Sequence, residues 1–221
     1  MTKRKIAIIA IVVPAFLTVA KAIAGFATMS ISILASALDS LMDVFSSLIT
    51  MVAVSTAEKP ADEKHPFGHG KAEAIAGLIQ AILIAISGSF LIYHAFRRIV
   101  TGYQLEAEWA GISVMIVAMI VSIFLAYGLK RVGRRTKSSA LAASSLNFGA
   151  DVWTNGGVLV ALGLENWGGV KNADPIISIL ISLYIIVSAI KIAADAITQL
   201  MDKTLPNETL AIVDECIHSR G

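Results

Sequence analysis

Six apolar stretches divide the 221-residue chain between Ile6 and Leu200. Each has about the 20 residues an α-helix needs to cross the hydrocarbon core of a bilayer. They run over Ile6 to Ala27, Ser30 to Ala57, Ala74 to Phe96, Trp109 to Leu129, Ser138 to Leu164 and Pro175 to Leu200. In lipid the backbone must satisfy its own hydrogen bonds, so each stretch is predicted to be helical. The fold class that follows is an all-α membrane protein, a six-transmembrane-helix bundle over residues 1–203. Residues 204–221 begin a further, non-membrane segment.

Only 15% of the residues are charged and 56% are hydrophobic, against roughly 25% charged in a soluble domain. A soluble protein is thereby excluded, and nothing in the chain points to nucleic acid. The single cysteine, Cys216, rules out a disulfide within one chain and a thiolate cluster for a soft metal. Basic residues set the topology. The run KRVGRRTK at Lys130 to Lys137, the loop Glu58 to Lys71 and the start Lys3-Arg4-Lys5 fall on one side, which places both termini in the cytoplasm. Arg97 and Arg98 fall on the outer side and oppose that assignment.

The second stretch carries Ser32, Ser36, Asp39, Ser40, Asp43, Ser46 and Ser47, a polar stripe at helical spacing. The fifth carries Ser144, Asn147, Asp151, Thr154 and Asn155. In each, the two strongest ligand candidates lie four residues apart and so stack on one face: Asp39 with Asp43, and Asn147 with Asp151. An ionised residue at mid-bilayer costs about 2.5–3.5 kcal/mol even on the lenient insertion scale. A divalent cation offsets that cost by satisfying several carboxylates at once, and protons replace it when it leaves. The plainer reading has these aspartates as structural residues paired with Lys21 or Lys191, both of which can also snorkel to an interface. After the second stretch, Asp62, His65 and His69 offer a carboxylate and two imidazoles, a set that zinc or a similar ion accepts. On its own, His-x-x-x-His here also fits a solvated turn with Gly68 and Gly70.

Together these residues resemble the cation diffusion facilitator family, secondary transporters that export Zn, Fe, Mn, Co, Ni or Cd ions. SISILASALDSLMDVFSSL is similar to the family's second helix, PADEKHPFGHGKAE to the signature that follows it, and SSALAASSLNFGADVWTNGGVLV to the fifth helix. DPIISILISLYIIVSA and LMDKTLP resemble the start and exit of the sixth. The resemblance implies a homodimer in a bacterial inner membrane, working by alternating access as a metal/proton antiporter with no organic cofactor. It implies a transport site at Asp39, Asp43, Asn147 and Asp151, and a second, cytoplasmic-side metal site at Asp62, His65 and His69. Lys71 and Asp202 match the positions of a charge interlock, although each is equally an ordinary surface charge.

Zinc-selective members of the family usually carry histidine where this chain has Asn147. An amide with three carboxylates forms an all-oxygen site, which moves the expectation towards Mn²⁺ or Fe²⁺ with zinc, cobalt, nickel and cadmium still open. Members usually continue past the sixth helix by about a small α/β domain; here Asn207 to Gly221 supplies only its beginning. Two other classes stand beside the transporter: a non-transporting metal sensor or assembly partner on the same fold, and an intramembrane aspartyl protease. The protease needs one aspartate on each of two helices and has a G-x-G-D string that this chain lacks.

Overall fold

The computed structural model describes residues 2–28, 31–101, 109–168, 173–201 and 218. Six helices run in order: α1 Lys3–Thr28, α2 Ile31–Ala57, α3 Lys71–Thr101, α4 Trp109–Thr136, α5 Ser139–Gly168 and α6 Ala173–Leu200. There is no strand among the described residues, and the six-helix bundle expected from the apolar stretches is present.

The helices outrun the apolar stretches. α3 begins at Lys71 and continues to Thr101, and α4 carries on through Arg134 and Arg135 to Thr136. Hydropathy marks where lipid ends, whereas Lys, Arg and Glu are good helix formers and extend the helix into water. Five of the six helices are apolar enough to qualify as membrane spans on composition: all but α5. That helix carries Ser144, Asn147, Asp151, Thr154 and Asn155. Its polar residues lower its mean hydropathy, yet at 30 residues it is as long as its neighbours and packs against α3, α4 and α6.

The bundle wears its large apolar side chains outward. Phe16, Phe26, Met42, Phe45, Phe90 and Phe124 are exposed, while much of the interior is alanine, serine and glycine. Helices in lipid gain little from burying leucine against leucine, so small residues that let backbones approach carry the packing. Ala53 of α2, Ala76 of α3 and Ala140 of α5 pack together in this way. At Gly77 an added Cβ would lie 3.2 Å from the Ser139 carbonyl oxygen, so α3 and α5 approach here because residue 77 has no side chain. Larger residues gather where α1, α2, α4 and α5 meet: Ile6, Val54, Leu125, Leu129, Leu141 and Phe148. α3 lies along α6 as the most extensively packed pair, with Ile84 against Ile185 and Ala189.

Ion pairs tie the helices at both ends of the bundle. Lys3 Nζ is 2.7 Å from Glu73 Oε1, joining α1 to α3 at the end that carries the 58–70 loop. At the opposite end Arg98 Nη1 is 2.7 Å from Asp174 Oδ2, joining α3 to α6. Asp174 is buried, so Arg98 is spent on a buried carboxylate of its own bundle. One of the two arginines that opposed the topology assignment is thus engaged within the bundle.

Candidate functional site

Alternate helices of the bundle run in opposite directions, so α2 and α5 are antiparallel. Each i,i+4 pair spans about 6 Å along its helix, and antiparallel packing sets Asp43 level with Asn147. The structure brings these two into contact, with Asn147 Nδ2 donating to Asp43 Oδ1 at 2.8 Å. The buried stripe of α2 runs through Ser40, Ser47 and Thr50, with Asp43 partly buried within it. Asp39 sits at the open edge of that stripe, about 100° around the helix from Ser40. Asp151 lies within reach of the charges of both Asp43 and Asp39, and its Oδ2 is shut off from solvent with no hydrogen-bond partner. A carboxylate oxygen in that condition needs a cation or a proton.

Of the three carboxylates and the amide expected to form one site, Asp43 and Asn147 meet across two helices, and Asp39 and Asp151 stand one turn from them on α2 and α5. Among the described residues, the only three His, Cys, Asp or Glu side chains with ligand atoms all within 4.8 Å of one another are in the loop; Asp39, Asp43 and Asp151 stand further apart. The rest of the α5 stripe divides. Thr154 Oγ1 donates to the Ala150 carbonyl at 2.6 Å and Asn155 Nδ2 to the Asp151 carbonyl at 2.8 Å, so both turn back onto their own helix. Ser144 Oγ is buried without a partner, as is Ser47 Oγ on α2.

Lys21 departs from the sequence expectation. It does not snorkel: the side chain is 7% exposed and turns inward from α1. Its Nζ donates to Ser40 Oγ at 2.7 Å and to the Ser36 carbonyl at 3.3 Å. Ser40 and Ser36 flank Asp39 on α2, which brings the ammonium beside the aspartate-bearing stripe. Lys191, its alternative as a partner for the aspartates, is exposed on α6. Periodicity alone gives no means of choosing between a snorkelling and an inward rotamer. The nearest signal is Ser36 and Ser40, which stand three residues before and one after Asp39 and supply oxygens to hold an ammonium.

The loop gathers a second set. His65 Nδ1 is 3.0 Å from Asp62 Oδ1 and His69 Nε2 is 3.5 Å from Asp62 Oδ2, with the two rings 4.4 Å apart. Asp62 and His65 also exchange backbone N–H···O=C bonds of 3.2 and 3.1 Å, and Gly68 takes φ +81°, a conformation glycine adopts without strain. His69 Nδ1 lies 3.2 Å from the Pro60 carbonyl. That contact suits an Nδ1–H tautomer and leaves Nε2 to face Asp62 as a ligand. The His65 backbone N–H, more than the His65 and His69 rings, holds the Asp62 carboxyl below the usual carboxylate range. The set is therefore a hydrogen-bonded turn whose candidate ligand atoms all lie within 4.8 Å of one another.

Lys71 Nζ reaches the Leu200 carbonyl at 3.3 Å, at the end of α6. Asp202, its expected partner, lies outside the described residues, as does the 204–221 segment apart from His218. His94 stands edge-on to Phe90 and Tyr93 on its own helix, an aromatic environment rather than a ligand set.

Residues 7–201 match the family described as the cation efflux transmembrane domain. The chain belongs to the cation efflux family. It is 38% identical over 209 residues to the cation-efflux pump FieF of Cronobacter sakazakii, a match covering 94% of this chain and 69% of that protein. The pump of the same name from Serratia proteamaculans is 37% identical over the same shares. That of Escherichia coli O1:K1 / APEC is 39% identical over 202 residues, 91% of this chain and 67% of its own length. As a cation efflux family member the protein is an integral membrane transporter of divalent cations and not an enzyme. The aspartyl-protease reading falls with that membership.

Proposed function

We propose that this protein exports a divalent transition-metal ion from the cytoplasm through Asp39, Asp43, Asn147 and Asp151, in exchange for protons. The observation that carries this reading is the contact between Asp43 and Asn147 across α2 and α5, with Asp151 and Asp39 close enough for their charges to interact. An ion entering there gains oxygen ligands from both helices. When it leaves, like charges crowd a site of low dielectric, and protons take its place. Binding of one species thus displaces the other. Alternating access then requires that α2 and α5 present the site first to one side of the membrane and then to the other.

Four oxygen donors, with an amide where an imidazole would make a softer site, favour Mn²⁺ or Fe²⁺ over zinc. Asp62, His65 and His69 form a second, cytoplasmic-side metal site, softer because of its imidazoles and therefore open to zinc. Lys71, beside the last turn of α6, pairs with Asp202 as an interlock in a homodimer. The protein lies in a bacterial inner membrane with both termini cytoplasmic, the side of the basic loop at Lys130 to Lys137.

The test is metal-dependent proton flux in vesicles reconstituted with the purified chain. Asp43→Ala and Asp151→Ala are each expected to abolish flux while the protein remains folded. Normal transport by both variants would remove the site from those residues. A wild-type protein that binds the metal yet moves neither metal nor protons would favour a sensor on the same fold.

A further inference from the structure

We infer that Lys21 is the charge-setting residue of the transport site, a tethered internal cation that fixes the net charge offered to the incoming ion. The inference rests on the site reading above and adds a residue from a third helix, α1. Its ammonium is buried and aimed into the bundle, held by Ser40 Oγ at 2.7 Å and the Ser36 carbonyl at 3.3 Å. Those two serines bracket Asp39 on α2. Ser40 also lies three residues before Asp43 on the buried stripe of α2, so the charge is fixed beside the ligand pair of that helix.

Asp39, Asp43 and Asp151 with Lys21 carry a net charge of two negatives when all are ionised, which is the charge one divalent ion cancels. Without Lys21 the same ligands would hold a net charge of three negatives and keep one uncompensated after the metal binds. An uncompensated charge in a low-dielectric interior is costly, so such a site would cling to its ion. Lys21 thus serves two ends. It partly neutralises the carboxylates while the site is without metal, and it repels the bound dication, which limits affinity and hastens release. A transporter needs this, because an ion held too tightly is not let go on the far side. Ser40 and Ser36 are positioning residues in this scheme: they hold the ammonium beside the ligand cluster.

The experiment is Mn²⁺ flux into vesicles containing the full chain, with KM and maximal rate measured separately for Lys21→Gln and Lys21→Arg. Glutamine keeps a hydrogen bond to Ser40 and deletes the charge. It is expected to lower KM roughly tenfold or more and to lower the maximal rate as release slows. Arginine, which keeps the charge, is expected to restore both towards wild type. A purely structural lysine would not produce the coupled fall of KM and rate. Unchanged or raised KM in Lys21→Gln overturns the inference.

Should Lys21→Gln not fold, the double variant Lys21→Gln with Asp39→Asn restores the net charge and is expected to recover folded protein. Failure of the double variant to fold would show that Lys21 serves helix packing, and would overturn the inference equally. Asp43→Ala, run in parallel, separates this idea from its foundation. If Asp43→Ala transports normally, the site reading is at fault. If it is inactive while Lys21→Gln behaves as wild type, only the role of Lys21 is wrong.

Discussion

Asn147 Nδ2 and Asp43 Oδ1 stand 2.8 Å apart, an amide-to-carboxylate hydrogen bond that joins the first third of α5 to the middle of α2. The nitrogen holds Asp43 in position, and the oxygen of the same amide remains the atom suited to a cation. Replacing this residue by histidine exchanges a hard oxygen donor for a borderline nitrogen. Asn147→His is expected to shift flux preference from Mn²⁺ towards Zn²⁺ by roughly tenfold, about 1.4 kcal/mol. Competition among Mn²⁺, Fe²⁺, Zn²⁺, Co²⁺ and Cd²⁺ measures it. Identical preference in the two proteins would end the hard-ligand argument.

The loop ligands are expected to bind an ion independently of the membrane site. Deleting an imidazole with His69→Ala should lower the number of tightly bound Zn²⁺ ions by one per chain, read by equilibrium dialysis. Asp43→Ala should leave loop binding intact. Loss of both sites in either variant would mean that the two are not separate.

Asp62 gives this loop a defined acid limit. Its carboxyl is held below the usual range by the His65 backbone N–H first of all. The stabilisation is therefore present above the unfolded value of about 3.9 and is lost as pH falls through the lower folded value. In metal-free protein the Asp62–His65 turn is expected to persist at pH 5, seen as slow hydrogen exchange at the His65 amide. Exchange at pH 5 as fast as in Asp62→Ala would contradict this.

Removing the guanidinium that meets buried Asp174 should weaken the α3–α6 pair. Arg98→Ala is expected to cost about 1.5–3 kcal/mol, the range for a hydrogen bond to a charged group. It should lower the thermal unfolding midpoint in detergent. Arg98→Met with Asp174→Leu should recover much of the loss, because the double change leaves no buried charge. A single variant as stable as wild type would show that the pair contributes nothing.

Gly77 and Gly149 make a matched comparison. A Cβ at 77 meets the Ser139 backbone, which cannot move aside easily, whereas nothing lies within 4 Å of one at 149. Gly77→Ala is expected to destabilise by about 1–3 kcal/mol. Gly149→Ala should be neutral, or stabilising by up to about 1 kcal/mol through helix propensity. Thermal unfolding of the two variants decides it, and the reverse order would refute the close approach of α3 and α5.

The candidate pairs were legible because i,i+4 spacing on a helix is a fact of the chain: Asp39 with Asp43, and Asn147 with Asp151. That Asp43 meets Asn147 was not. Nothing local says which side of α5 turns towards α2, and Thr154 and Asn155 share the fifth helix's polar run yet bond to their own backbone. The loop was legible as a candidate ligand set and as a turn, and the structure forms the turn with the three side chains gathered on it.

What the sequence alone determined is the number of helices and their polar stripes, since lipid forces helix on any long apolar run and period 3.6 forces stripes. Only tertiary packing decided that Arg98 meets Asp174 and that Lys21 turns inwards to Ser40. A long cationic side chain reaches several partners from one Cα, and the neighbouring helices select among them by what oxygens they present.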